Sequence, residues 1–103
     1  MDKNNNNYIT NNFKNQGIFI IVNSQILEEV KKKKITPFEA LLLGKIFFLC
    51  ISNKNYECWA SNEYFTRIFG CSERWIRETL NKLENAGYIK RLYSINENQR
   101  IIK

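Results

Sequence analysis

The sequence predicts a mainly α-helical domain completed by a small antiparallel sheet, an α+β class, and three observations carry that expectation. Two capped amphipathic segments, 62–69 and 73–85, are separated by a glycine turn too short to be a linker. A third helix start, Thr36-Pro37-Phe38-Glu39, leads into a long apolar run. Finally, Tyr88–Ile95 and Gln99–Lys103 are rich in β-branched and aromatic residues and are split by Asn96, Glu97 and Asn98, the composition of a hairpin.

In chain order, residues 1–16 are dominated by asparagine and are expected to form a flexible tail, leaving 17–103 as the folded domain. Gly17–Val22 reads as a short apolar strand able to add an edge to the sheet. Ser24 is placed as the cap of a short helix through Val30. The basic run Lys31–Lys34 then reads as a solvated turn. Thr36 and Glu39 form a capping box with proline at the first helical position, and the helix they start is expected to reach about Ile51. Leu42, Ile46 and Leu49 share one face with Phe38 nearby, while Leu41, Phe48 and Cys50 widen the apolar surface. Such a helix is either deeply buried or contributes part of itself to a dimer contact. Ser52–Asn55 is a polar turn, and Tyr56–Trp59 a short strand expected to pair with the hairpin.

Ser61 can cap a helix over 62–69, since its hydroxyl satisfies N–H groups that the first turn leaves unpaired. Gly70 ends that helix because glycine tolerates the left-handed backbone of a sharp exit. Ser72 caps the next helix, in which Ile76, Leu80 and Leu83 at i, i+4 and i+7 make one buried stripe, and Gly87 closes it. Two helices joined by a tight turn and followed at once by a hairpin constitute a winged helix-turn-helix, with the helix pair at 61–86 and the wing at 88–103.

With the aliphatic stripe inward, a 100° step per residue puts Arg74, Arg77, Glu78 and Asn81 on the opposite face. Arginine matches guanine O6 and N7, and asparagine can pair bidentately with adenine, so this face holds residue types that read base edges; a solvated charged face is the plain alternative. Ser61, Ser72, Lys82, Lys90, Arg91 and Arg100 are the candidates for phosphate contacts, the serines through helix N-termini that favour anions. Trp75 and Lys82 fall on the flank nearer the first helix of the pair. Trp75 is expected to pack there rather than touch DNA, with contact to a protein partner as a further reading.

The run Cys58-Trp59-Ala60-Ser61-Asn62-Glu63, then Phe65, Gly70, Ser72 and Arg74, and the ending Leu83-Glu84-Asn85-Ala86-Gly87-Tyr88-Ile89 resemble the winged-helix domain of phage and plasmid replication proteins, the N-terminal domains of replisome organisers and replication initiators. The resemblance extends upstream through Ile35-Thr36-Pro37-Phe38-Glu39 and covers roughly Ile18 to Arg91. It implies a DNA-binding winged helix, the second helix of the pair reading the major groove and the wing resting on the backbone or minor groove. Thr66 stands where such motifs usually have alanine, and Trp75 where they usually have a small polar residue. A ring at the second position alters docking or marks a protein partner.

The remaining composition narrows the function classes. A length of 103 residues allows one domain with a modest core, and a formal charge of +6 suits a polyanionic partner. Cys50, Cys58 and Cys71 lack metal-site spacing, and their odd number fits a reducing cytoplasm. With no histidine anywhere, Ser-His, Cys-His and histidine-metal catalysis are removed, so no enzyme, cofactor or metal is expected. Neither a secretion signal nor a membrane span is visible. The expected partner is double-stranded DNA. A homodimer would imply half-sites ~10 base pairs apart. The favoured function is the DNA-binding module of a phage or mobile-element replication protein, or a small transcriptional regulator. A replication initiator would be expected to carry a further domain, so a chain ending after the wing is either a fragment or a stand-alone repressor. The rival is a protein-binding winged helix, such as a small phage inhibitor of a host or defence nucleic-acid enzyme.

Overall fold

Local side chains decide where each helix begins. In the computed structural model, which describes residues 19–94 and 99–103, the elements in chain order are α1 (Ser24–Lys31), α2 (Pro37–Ile51), α3 (Asn62–Phe69), α4 (Glu73–Asn85), β1 (Arg91–Ser94) and β2 (Gln99–Ile102). The Asn-rich tail, the start of the Gly17–Val22 segment and the Asn96–Asn98 turn lie outside the described residues. Among the described residues, four helices and a two-stranded antiparallel hairpin make a winged helix-turn-helix.

The cap of α1 is Asn23 rather than Ser24: its Oδ1 accepts from the Ile26 N–H at 2.8 Å. At α2 the reciprocal capping box forms as the sequence predicts, Thr36 Oγ1 accepting from the Glu39 N–H and the Glu39 carboxylate from the Thr36 N–H. Ser61 and Ser72 cap α3 and α4 with equal 3.1 Å bonds to the Tyr64 and Trp75 N–H groups. Gly70, at φ +65°, supplies the left-handed exit from α3. The end of α4 is a Schellman motif in which the Tyr88 N–H reaches the Leu83 carbonyl and the Gly87 N–H the Glu84 carbonyl, with Gly87 at φ +87°.

The core joins Leu42 and Ile46 of α2, Phe65 of α3, Ile76, Leu80 and Leu83 of α4, Ile89 and Ile102. The hairpin pairs Arg91 with Ile102, Leu92 with Ile101, Tyr93 with Arg100 and Ser94 with Gln99. The predicted strand at 56–59 is reduced to one bridge, in which Cys58 and Ile102 exchange two 2.8 Å backbone bonds. Tyr56 adopts a left-handed φ of +56°, and that kink ends the extended run.

The predicted edge strand at 17–22 is corrected as well. Residues 19–22 do not join the hairpin but lie against α2, where the Ile21 N–H bonds to the Gly44 carbonyl at 3.3 Å. The attraction comes from two residues whose only evident meaning in the sequence was to interrupt an apolar run. Gly44 leaves a slot, and a Cβ there would stand 2.5 Å from the Ile21 oxygen. Lys45 is only 3% exposed, donates to the Phe19 carbonyl at 3.1 Å and lies 5.1 Å from the Phe48 ring centroid and 5.9 Å from that of Tyr64. A carbonyl and two ring faces thus replace part of the hydration lost by the ammonium. Leu41, Phe47 and Ile51 stay exposed on α2, so the helix is buried over part of its circumference only.

Gly44→Ala tests this seating. The new methyl gains up to ~1 kcal/mol of helix propensity but meets backbone, and overpacking costs about 1–3 kcal/mol. The expected result is a net loss of thermal stability together with faster proteolysis within residues 19–22.

Candidate nucleic-acid interface

Complete burial of Ile76, Leu80 and Leu83 turns the other side of α4 to solvent. The Arg74 side chain is 81% exposed and that of Arg77 54%. Arg74 Nε bonds to Glu78 Oε1 at 3.0 Å, and Arg77 lies 3.9 Å from Glu73 Oε1. Exposed i,i+4 pairs of this kind contribute about 0.3–0.5 kcal/mol, little against a bidentate base contact of ~1–3 kcal/mol. Both arginines can therefore leave their glutamates for a nucleic acid.

Asn81 is also exposed, but its Oδ1 accepts from Arg91 Nη2 at 2.6 Å, so a bidentate pairing with adenine would have to share that oxygen. Arg91 is itself occupied. It donates from its backbone N–H, Nε and Nη2 to the Glu84 carboxylate at 2.7–3.0 Å, and its side chain is only 18% exposed. Arg100 donates to Asn62 Oδ1 and to the Ala60 carbonyl, linking β2 to the N-terminus of α3. Arg91 and Arg100 thus hold the hairpin against α4 and α3. The pull of the Arg91 N–H and then of its guanidinium keeps the Glu84 carboxyl below the ordinary carboxylate range. Desolvation lowers the pKa of Arg100 from its ordinary value.

Between hairpin and helix pair runs an open groove of about 530 Å³ lined by Ala60, Ser61, Asn62, Glu73, Tyr93 and Arg100. Ser61 brings the positive end of α3 to it, and Tyr93, which the sequence reading passed over, is exposed on β1 opposite Arg100. Ser72 offers the same helix-end geometry at α4. Lys90 and Lys82 are exposed, and Lys90 is fixed in backbone by paired 2.9 Å bonds with Lys103. Trp75 packs on Phe38 of α2, 5.9 Å between centroids, and Phe38 meets Phe69 of α3 edge-on at 5.5 Å.

Residues 33–89, more than half of the chain, match the family model of the helix-turn-helix domain. The chain belongs to that helix-turn-helix domain family. The matched stretch contains α2, α3 and α4 and stops before the hairpin, and it supports DNA as the partner of this helix-turn-helix domain. No curated protein and no solved structure matches the chain. Among the described residues of the helix-turn-helix domain, no cluster of acidic or cysteine side chains could hold a metal ion, and no helix is long and apolar enough to cross a membrane. Burial, then the neighbouring Cys58 and Glu57, pushes the Cys50 thiol up to about 11, and burial raises Cys58, so both stay as thiols at neutral pH.

The Glu84 carboxyl generates a pH test. Because its folded pKa is depressed, the stabilisation is complete above the unfolded value of about 4.3 and is lost as pH falls through the lower folded value. Glu84→Gln should be less stable than the wild type at neutral pH, and the gap should close in strong acid. Denaturant unfolding of both proteins at a series of pH values measures it, and a gap that persists in acid would assign the loss to packing.

Proposed function

We propose that this helix-turn-helix domain binds double-stranded DNA sequence-specifically, with α4 in the major groove, as the DNA-binding module of a phage or mobile-element replication protein or as a small transcriptional regulator. The observation that carries the proposal is the exposed pair Arg74 and Arg77 on a helix whose opposite side is locked into the core. Glu78 and Asn81 complete the base-reading face. Ser61, Ser72, Lys82 and Lys90 serve the phosphates, while Arg91 and Arg100 hold the hairpin in register behind them.

The replication role rests on the likeness to phage and plasmid replication proteins seen in the sequence. A second reading, a small protein-binding inhibitor of a nucleic-acid enzyme, is favoured by the exposed apolar side chains Leu41, Phe47 and Ile51 on α2 beside Phe19, Ile20 and Val22. Retention of random genomic fragments followed by sequencing separates the two. An enriched motif supports the first, and undetectable duplex binding in dilute buffer overturns it.

Within the first reading, Arg77→Ala should cost ~1–3 kcal/mol and relax preference at one base pair. Lys90→Ala should weaken every sequence alike and lower the salt slope by about 1. Binding titrations at several salt concentrations against the enriched motif and its single-base variants measure both effects.

A further inference from the structure

Trp75 has an environment that duplex reading does not use. Its ring is 44% exposed although it stands in the first turn of α4, next to Arg74 on the base-reading face. One flank of the ring rests on Phe38, itself held edge-on by Phe69, so its orientation is set before any ligand arrives. Lys82, two turns further along α4, brings its Nζ to 6.0 Å from the Trp75 centroid. Phe38 also follows closely on Lys31–Lys34, all four of them exposed. An immobilised aromatic face with cations beside it and a basic run leading to it is the chemistry by which proteins take single-stranded nucleic acid, with base on ring and phosphate on ammonium.

We propose that Trp75, backed by Phe38 and flanked by Lys82, is a stacking platform for an unpaired base, so that the domain prefers DNA in which a single strand adjoins the duplex held by α4. The proposal rests on the duplex-binding reading and adds a substrate class to it. Two features favour it over a protein contact at the same ring. Lys82, whose Nζ lies 6.0 Å from the ring centroid, is cationic, which suits a phosphate chain. A bulky indole beside the base-reading face also restricts how closely α4 seats in an intact groove, whereas a base that has lost its complement can swing onto the ring. Among the described residues, Lys82 is exposed and meets nothing stronger than the ring, so it can move to the adjoining phosphate as the base arrives.

The test uses the Trp59→Phe variant, in which Trp75 is the remaining tryptophan, with a blunt duplex and the same duplex carrying a short oligothymidine extension. The expected result is quenching of Trp75 fluorescence by the extension and a gain in affinity of roughly 5- to 150-fold per stacked base. Trp75→Ala should abolish the gain, so that the extended and blunt DNAs bind it equally, while Trp75→Phe, which keeps a ring, should retain much of it. Equal affinity for both DNAs, or a gain that survives in Trp75→Ala, overturns the platform. If the alanine variant fails to fold, Trp75→Leu, which keeps apolar volume without a ring, decides the matter by affinity alone, and a gain that survives in it overturns the platform. Should the extended DNA bind through Trp75 while the blunt duplex does not bind, the platform stands and the duplex-reading proposal falls. Absence of binding to both removes both and leaves the ring to a protein partner.

Discussion

Rotation of α4 about its own axis is set by apolar burial and by little else. Each fully buried leucine or isoleucine is worth about 1.5–3 kcal/mol, and Ile76, Leu80 and Leu83 are all completely buried against Leu42, Ile46 and Phe65. The ion pairs on the other face, Arg74 with Glu78 and Arg77 with Glu73, contribute an order of magnitude less. The strong interactions therefore hold the helix, and the weak ones are left where a ligand can exchange them.

Electrostatics decides the second relation, that of hairpin to helices. Glu84 occupies the last turn of α4, where the helix dipole disfavours a carboxylate. Arg91 answers it from β1 with three donors, and Asn81 accepts from the same guanidinium. At the other edge Arg100 ties β2 to Asn62 and Ala60. Two arginines that make the chain basic on paper are thus spoken for within the fold, and the charge offered outward is correspondingly concentrated on Arg67, Arg74, Arg77 and the exposed lysines.

Features written in adjacent residues were legible from the sequence. The Thr36–Glu39 box, the serine caps and the glycine exits each need a short stretch of chain, and they fixed α2, α3 and α4. The aliphatic stripe of α4 followed from spacing for the same reason. What escaped depends on residues distant in sequence. Lys45 looked like an interruption because its partner Phe19 lies on another segment. The ring beneath Trp75 escaped because Phe38 comes from α2. The contacts of Arg91 and Arg100 within the fold escaped because a sequence shows a charge without showing what it faces. Glu84 carried a faint signal, an acidic residue at a helix C-terminus shortly before an arginine, and that unfavourable placement could have pointed to the pair.

The Schellman motif and the Arg91–Glu84 contact leave no slack between α4 and β1. A partner that touches both must conform to a spacing that the protein does not relax, so any elastic adjustment falls to the partner.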